Sequence, residues 1–449
     1  MRSIFFSLIV FSFFVAAITQ RGLAQDPHQG MDMQGSDTQG MNMPGMKHAA
    51  DHSMNMQPQS LIELIEQHST AGTDAEPTSI PMGMLMTQKG SWTFMFHGDA
   101  FLADNQQSGP RGSDKFFSTN WIMPMAQRKL GGGTLTLRTM LSFEPATISQ
   151  RRYPELFQQG ETAYGRPIID GQHPHDFFME LAALYDYQLT DKALISLYYA
   201  PMGDPAMGPV AYPHRASASE DPLAALGHHL QDSTHIASNV VTVGLTYRKA
   251  RVEASGFHGR EPDEHRWNID PGKVDSWATR VTLAPAANWT LQYSIAQLHS
   301  PEAIAPEEDI RRMTASILYN RPLHNGNWSS LLLWGRNQSL LDGNVGNSYL
   351  MESTLKFLSR NAIWTRIENV DRTNELLLGE NPLPPSFSEK YFTRVQAYTA
   401  GYDREIGHIP HLSTALGGQV TWYGVPDALR PAYGSHPVGA LLFLRLRVH

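Results

Sequence analysis

Methionine and histidine cluster in one short tract near the N-terminus, and both side chains are ligands for copper. Residues 26–58 hold seven of the chain's 20 methionines, in a background of Gly, Asn, Gln and Asp. Thioethers suit Cu(I), and imidazole also accepts Cu(II). A solvated linker with an incidental enrichment in Met is the alternative interpretation. We predict that the tract binds a copper ion through Met31, Met33, Met41, Met43, Met46, His48, His52, Met54 and Met56.

Histidines also gather in three later segments, 172–176, 227–235 and 257–265, each in or beside a predicted loop. A second metal site would need such residues, since His and Asp are common ligands of transition metals. A loop constriction stiffened by hydrogen bonds between His, Asp and Arg would need them too. The candidates for either role are His173, His175, Asp176, His228, His229, Asp232, His235 and His258.

One of these segments has the residue types of a helix start. Asp221 suits an N-cap, and Pro222 suits the first helical position. A helix from Pro222 would place His228, Asp232 and His235 on one face, because they are spaced by four and then three residues.

The elements that must position these residues are short strands. Several segments alternate in polarity; in 437–448, for example, Leu442 and Leu444 share one face while Arg445 and Arg447 lie opposite. One apolar and one charged face is typical of a transmembrane barrel with a wet lumen. A soluble β-sandwich would show the same alternation with its apolar face inward. The predicted strands are 91–103, 116–128, 133–144, 176–189, 192–201, 238–248, 251–258, 274–284, 289–298, 311–320, 327–336, 347–358, 361–370, 391–404, 411–423 and 437–448.

The lengths of the links between strands separate these two folds. Links after even-numbered strands are short, as at 190–191 and 249–250, and links after odd-numbered strands are long, as at 145–175 and 202–237. Short periplasmic turns that alternate with long outer loops are typical of outer-membrane barrels. Tryptophans at or near strand ends suit interfacial girdles. The sequence therefore predicts an all-β, antiparallel transmembrane barrel of about 16 strands over residues 91–449.

The N-terminal 90 residues divide into three parts. Residues 1–24 have a positive start, an apolar run and a small-residue cleavage site, and so predict a secretory signal; an uncleaved anchor helix is the alternative. Residues 25–60 form the Met/His-rich tract, which has no aliphatic residue larger than Met and is expected to be disordered. Residues 61–90 are expected to form a short helix, with Ser60 and Glu63 as a capping box, and then an extended linker.

Composition and missing motifs exclude several function classes. The chain has no cysteine, which removes thiolate metal sites and Cys nucleophiles, and its net charge of −8 does not favour nucleic acid. The sequence shows no nucleophile elbow, phosphate loop or dinucleotide fingerprint. We therefore expect no enzyme activity, although Ser233 or Ser238 near His235 could be imagined as part of an outer-membrane hydrolase.

An exported Met/His-rich tract that leads into a predicted barrel resembles the copper-resistance B proteins of the outer membrane. The resemblance rests on residues 31–56 and on the overall layout. It implies copper binding or sequestration by a periplasmic tail, with outer-membrane lipid and a metal ion as partners. A general porin or solute channel with an incidental tail is the second reading, and a homotrimer is expected from porin analogy alone.

Overall fold

The computed structural model describes residues 57–232, 237–379, 381–382, 384 and 387–448. The predicted signal segment, the copper ligands Met31 to Met56, and His235 lie outside these residues. Sixteen long strands make up the barrel: β1 (Trp92–Gln107), β2 (Asp114–Leu130), β3 (Gly133–Leu141), β4 (Phe178–Thr190), β5 (Ala193–Met202), β6 (Ser238–Tyr247), β7 (Ala250–His258), β8 (Ser276–Ala286), β9 (Trp289–Leu298), β10 (Ile310–Leu323), β11 (Gly326–Ser339), β12 (Val345–Phe357), β13 (Asn361–Thr373), β14 (Tyr391–Ile409), β15 (Leu412–Gly424) and β16 (Val438–Val448).

The sheet closes on itself. Each long strand pairs antiparallel with its neighbour in sequence, and β16 pairs with β1 from Gly98↔Val448 to Gln107↔Gly439. A short leading strand, Leu85–Lys89, pairs with the first residues of β1, beyond the point where β16 ends. Closure pairs the backbone groups of the wall, as a sheet in lipid requires. The predicted all-β barrel of 16 antiparallel strands is confirmed.

Two kinds of link define the two ends of the barrel. Links of two or three residues follow the even-numbered strands, at 131–132, 191–192, 248–249, 287–288, 324–325, 358–360 and 410–411. We call this the turn end. The links after the odd-numbered strands form the loop end, at 108–113, 142–177, 203–237, 259–275, 299–309, 340–344, 374–390 and 425–437.

The two faces of the wall differ as the alternation predicts. Outward side chains such as Val243, Leu332 and Trp422 are exposed and apolar, while inward ones such as Glu352 and Arg445 are buried. An apolar band outside a polar interior faces lipid, because the surrounding acyl chains accept no hydrogen bonds. The protein is therefore an outer-membrane type of barrel. No helix in the described part of the chain is long and apolar enough to span a bilayer.

Two side chains depart from the predicted faces. Alternation along the predicted strand 176–189 puts Met179 on the apolar outer face with Leu181 and Ala183, but Met179 is buried inside, because a bulge opposite Met140 and Leu141 shifts the register there. Trp121 was expected on a girdle and instead lies in the lumen, with its ring 5.1 Å from His97 and 4.3 Å from His214.

The N-terminal segment enters the barrel from the turn end. The predicted helix forms as α1 (Leu61–Gln67). Ser60 caps it, because its side-chain oxygen accepts a hydrogen bond from the Glu63 amide at 3.2 Å. Its apolar side chains are buried in a cluster with Leu194 and Ala284 of the wall. Further along, the Ser79 amide binds the Ala287 carbonyl at a short turn. Residues 57–84 therefore pack against the wall and close the turn end of the lumen, whereas the sequence predicted an extended linker after the helix.

The two longest loops, 142–177 and 203–237, fold into the lumen from the other end. Most described residues of 203–232 are buried. Wall arginines donate to loop carbonyls, as Arg312 does to Asp232 at 2.9 Å and Arg366 to Leu223 at 2.8 Å. The described residues of all the loops hold little regular structure. The helical pieces are Glu144–Thr147, His228–Gln231 and Arg430–Tyr433, with 3-10 turns at Ser149–Arg151 and Asn374–Leu377. Two pairs of short strands lie in the 142–177 loop: Tyr153–Pro154 with Gly171–Gln172, and Glu161–Ala163 with Arg166–Ile168.

Candidate metal centre

Side chains from two loops meet around one carboxylate at the loop end. Oε1 of Glu161 lies 2.7 Å from Nε2 of His173 and 2.9 Å from Nε2 of His229. The three ligand atoms lie within 4.8 Å of one another. A fourth group, Glu261 of the 259–275 loop, places Oε1 3.9 Å from Nδ1 of His229. We call Glu161, His173 and His229 the loop triad.

Local backbone geometry explains why these residues meet. Glu161 opens a small hairpin, Glu161–Ala163 with Arg166–Ile168, and the preceding Gly160 has φ of +97°. A Cβ at Gly160 would lie 3.3 Å from Nδ1 of His229, so a residue without a side chain lets the two loops touch here. His229 belongs to the single helical turn His228–Gln231, which holds its ring above the hairpin.

The charges of the triad depend on burial and on one another. Burial would raise the pKa of the Glu161 carboxyl, but His173 and His229 reverse this and hold the pKa well below its usual range. Burial lowers the pKa of His173, although Glu161 opposes the shift. Burial and the nearby Glu161 charge raise the pKa of Glu261 well above its usual range. Of these two carboxyls, Glu161 is therefore the one that ionises more readily, and Glu261 is the one that holds a proton more readily.

Two imidazoles and one carboxylate that share a buried point form a typical ligand set for a d-block divalent ion. Zinc sites use His and Glu ligands at about 2.0–2.2 Å, and Cu(II) binds the same donors more tightly than other first-row divalent ions. Both Nε2 atoms already point at one carboxylate oxygen. An ion between them would need the ligand atoms to separate only slightly from their hydrogen-bonded positions.

The other predicted site residues in the described part of the chain make contacts of their own, although the ring of His228 lies 4.0 Å from that of His229. His175 binds Glu144 at 2.9 Å, and Asp176 pairs with Arg266 at 3.2 Å. Nδ1 of His228 lies 2.7 Å from the Ala225 carbonyl oxygen, and His258 pairs with Asp275. These contacts fit the alternative reading, in which loop histidines stiffen a constriction.

The helix expected from Pro222 is wrong in its extent. Only His228–Gln231 is helical, and Asp232 is already extended, with φ of −139° and ψ of −175°. The helix-like spacing of His228 and Asp232 therefore does not place them on one face. Both residues instead belong to the packed 203–232 segment.

Sequence reasoning missed Glu161, the residue that joins the two predicted histidines. Its type and its place in the same long loop as His173 were available signals. Nothing in the sequence indicated which of the acidic residues in the loops would meet His229, because the contact depends on how two loops pack inside a closed barrel.

Comparison with known proteins finds distant likeness to solved outer-membrane porins. No family model and no curated protein matches the sequence. Among solved structures, an anion-selective porin from Comamonas acidovorans is 11% identical, with a TM-score of 0.49 over 79% of this chain and 99% of that one. OmpF of Salmonella typhi is 9% identical, with a TM-score of 0.48 over 81% and 100%. OprB of Pseudomonas putida is 8% identical, with a TM-score of 0.48 over 80% and 94%.

Proposed function

We propose that this outer-membrane barrel binds copper ions and contributes to copper tolerance, with its Met/His-rich tail on the periplasmic side. The observation that carries the proposal is the loop triad, in which His173 and His229 share the carboxylate of Glu161. Its donors suit Cu(II), whereas the thioethers of the tail suit Cu(I). Ligands for both oxidation states in one chain favour copper over zinc.

The position of Gln57 supports a periplasmic tail. The Gln57 side chain donates to the Ile80 carbonyl at 3.0 Å, and the Ser79 amide binds Ala287 at a short turn. The described chain therefore starts at the turn end, which faces the periplasm in outer-membrane barrels. The predicted tail ligands, from Met31 to Met56, precede Gln57 in the chain.

A solute channel is the second candidate. A closed barrel of 16 strands with charged side chains inside is the architecture of such channels. Residues 57–84 and two long loops occupy the lumen, however, so an open pore would need part of this filling to move. Conductance in planar bilayers that is large in the native protein and unaffected by copper would favour the channel. The homotrimer stays a prediction, to be tested by light scattering of the detergent-solubilised protein.

Copper binding by the mature full-length protein in detergent tests the main proposal. We expect Cu(II) to give an electron paramagnetic resonance spectrum with nitrogen coupling. His173→Ala with His229→Ala should remove one bound Cu(II), and Glu161→Gln should weaken it. A matched control replaces His265 and His299, which pair with Asp263 and Asp309 in other loops.

Two outcomes would contradict the proposal. One is equal Cu(II) stoichiometry in the triad variant and in the control. The other is unchanged copper sensitivity of cells in which the native gene has been deleted. A second variant separates the copper bound by the tail from the copper bound by the loop triad. It carries Leu at the seven tail methionines and Asn at His48 and His52.

A further inference from the structure

A second group of methionines lies inside the barrel. They come from four neighbouring wall strands, β1 to β4, and from the N-terminal segment, and they pack against one another. Elsewhere the wall buries Arg, Glu, Ser and Thr together with aromatic and aliphatic side chains such as Phe117 and Leu333. The buried thioethers of this group belong to Met84, Met95, Met123, Met125, Met140 and Met179.

Two histidines join this group. Nε2 of His214, in the 203–237 loop, lies 3.1 Å from the sulfur of Met140. The ring of His97, on β1, lies 5.6 Å from the ring of His214, and Trp121 packs against both rings. Nε2 of His97 is buried and forms no hydrogen bond with any described residue. We call His97, His214 and the buried methionines the thioether chamber.

Hydrophobic packing accounts for only part of this arrangement. Methionine fills irregular gaps in cores, but Leu would fill them with less loss of side-chain entropy. A buried imidazole nitrogen without a partner destabilises the fold, because it has lost its hydrogen bonds to water and gained none in return. A sequence selected for packing alone would place an apolar side chain at His97. The unpartnered nitrogen and the adjacent thioethers are instead the donors that a soft monovalent ion uses.

A cavity gives the chamber access. Its volume is about 360 Å³, and its lining includes Pro58, Met82, Met84, His97 and His214. In the sequence, Pro58 stands two residues after Met56, the last methionine of the tail.

We propose that the thioether chamber binds Cu(I), with Nε2 of His97, the imidazole of His214 and the sulfurs of Met140 and Met84 as ligands. The physiological meaning of this site rests on the proposed role in copper binding, but the binding itself does not depend on the loop triad. The chamber would hold the reduced ion in the lumen, whereas the triad would hold Cu(II) at the loop end.

Silver provides a probe for the site, since Ag(I) prefers the same soft ligands and is stable in air. The protein used is the mature full-length chain whose tail carries Leu at its seven methionines and Asn at His48 and His52. Titration in chloride-free buffer, followed by elemental analysis, should show one tightly bound Ag(I). Absence of bound Ag(I) in this protein would overturn the proposal that the thioether chamber binds a soft monovalent ion.

Substitutions then identify the ligands. Met84→Leu with Met140→Leu keeps the side-chain volume and should leave the barrel folded, since packed cores tolerate swaps of equal volume best. We expect Ag(I) affinity to fall by at least about tenfold, because even an outer-shell partner of a metal ion contributes that much. His97→Gln should lower the affinity too. Met351→Leu, on the lipid-facing side of β12, is the matched control.

The results separate the two metal sites. Unchanged Ag(I) affinity in the Met84/Met140 variant would overturn the chamber even if Cu(II) binding at the triad is normal. Loss of Ag(I) with Cu(II) retained would support the chamber. X-ray absorption of the Cu(I) form should show sulfur neighbours, and a spectrum with nitrogen and oxygen neighbours alone would contradict the proposal.

Discussion

Arg215, in the loop that fills the lumen, holds the carboxylate of Glu352 on β12 with two parallel hydrogen bonds. Nε lies 2.8 Å from Oε2, and Nη2 lies 3.0 Å from Oε1. Both side chains are about 1% exposed. Arg366 of β13 approaches the same carboxylate at 3.1 Å. A bidentate pair of this kind fixes the position of the loop as well as its charge.

Removal of Arg215 should therefore loosen the lumen filling. Arg215→Met leaves the buried Glu352 with one cation fewer, and breaking a buried pair in this way costs about 3–5 kcal/mol. The barrel wall keeps its own hydrogen bonds and should stay closed. We expect a larger ion conductance in planar bilayers and greater sensitivity of cells to bulky antibiotics. Arg430→Met removes an exposed pair with Asp427 and should change neither.

The wall could be read from the sequence, because each of its determinants is local. Alternation with period two places Glu352, Arg366 and Arg445 inside, and the structure buries all three. Link lengths placed the turns and the loops at opposite ends. Each predicted strand overlaps one observed strand, and the largest errors are at strand ends and at the bulge that turns Met179 inward.

The interior could not be read in the same way, because its contacts join residues that are far apart in the chain. His214 meets Met140 across two strands and a loop, and His229 meets Glu161 between two loops. Periodicity assigns a side chain to the inner face but does not say what lies opposite. Trp121 was expected on a girdle, because the sequence did not show that His97 and His214 would surround its ring in the lumen.

The lipid-facing surface makes a direct prediction for stability. Val243, in the middle of β6, is 50% exposed on the outer face and pairs across the sheet with Leu197. Val243→Arg should lower the free energy of unfolding in lipid by about 2–4 kcal/mol, because a cation at the midplane cannot be solvated. Leu341→Arg, in the 340–344 loop, should cost close to nothing. Urea unfolding in vesicles, followed on gels by the mobility shift, measures both; equal stability would argue against a membrane-embedded β6.

Gly160 makes a prediction for the loop triad. Gly160→Ala adds a methyl group 3.3 Å from Nδ1 of His229, at a backbone φ of +97° that disfavours side chains. His229 must then move away from Glu161, and we expect Cu(II) affinity to fall. Gly165→Ala also has a positive φ, but its added carbon meets nothing within 4 Å. Equal Cu(II) affinity in these two variants, measured by calorimetry, would show that the contact between the loops is unimportant.

Glu76 makes the docking of the N-terminal segment depend on pH. Its side chain is buried, and Oε1 accepts a hydrogen bond of 2.9 Å from the backbone amide of Ala216 in the lumen-filling loop. Burial raises the pKa of Glu76 from 4.5 to about 7. Between these values the folded protein binds more protons than the unfolded chain. The contribution of protonated Glu76 to the free energy of unfolding is therefore fully present below about pH 4.5. It falls as the pH rises to about 7, by at most about 3 kcal/mol.

Amide hydrogen exchange of residues 57–84 measures this dependence, once the intrinsic effect of pH on exchange is subtracted. The native segment should be better protected at pH 5 than at pH 7.5. Glu76→Gln keeps an acceptor for the Ala216 amide and cannot ionise, so its protection should be the same at both values. Glu307→Gln, at an exposed loop position, should keep the native difference. A Glu76→Gln protein that still loses protection with rising pH would place the titrating group elsewhere, because no other charge is altered by that substitution.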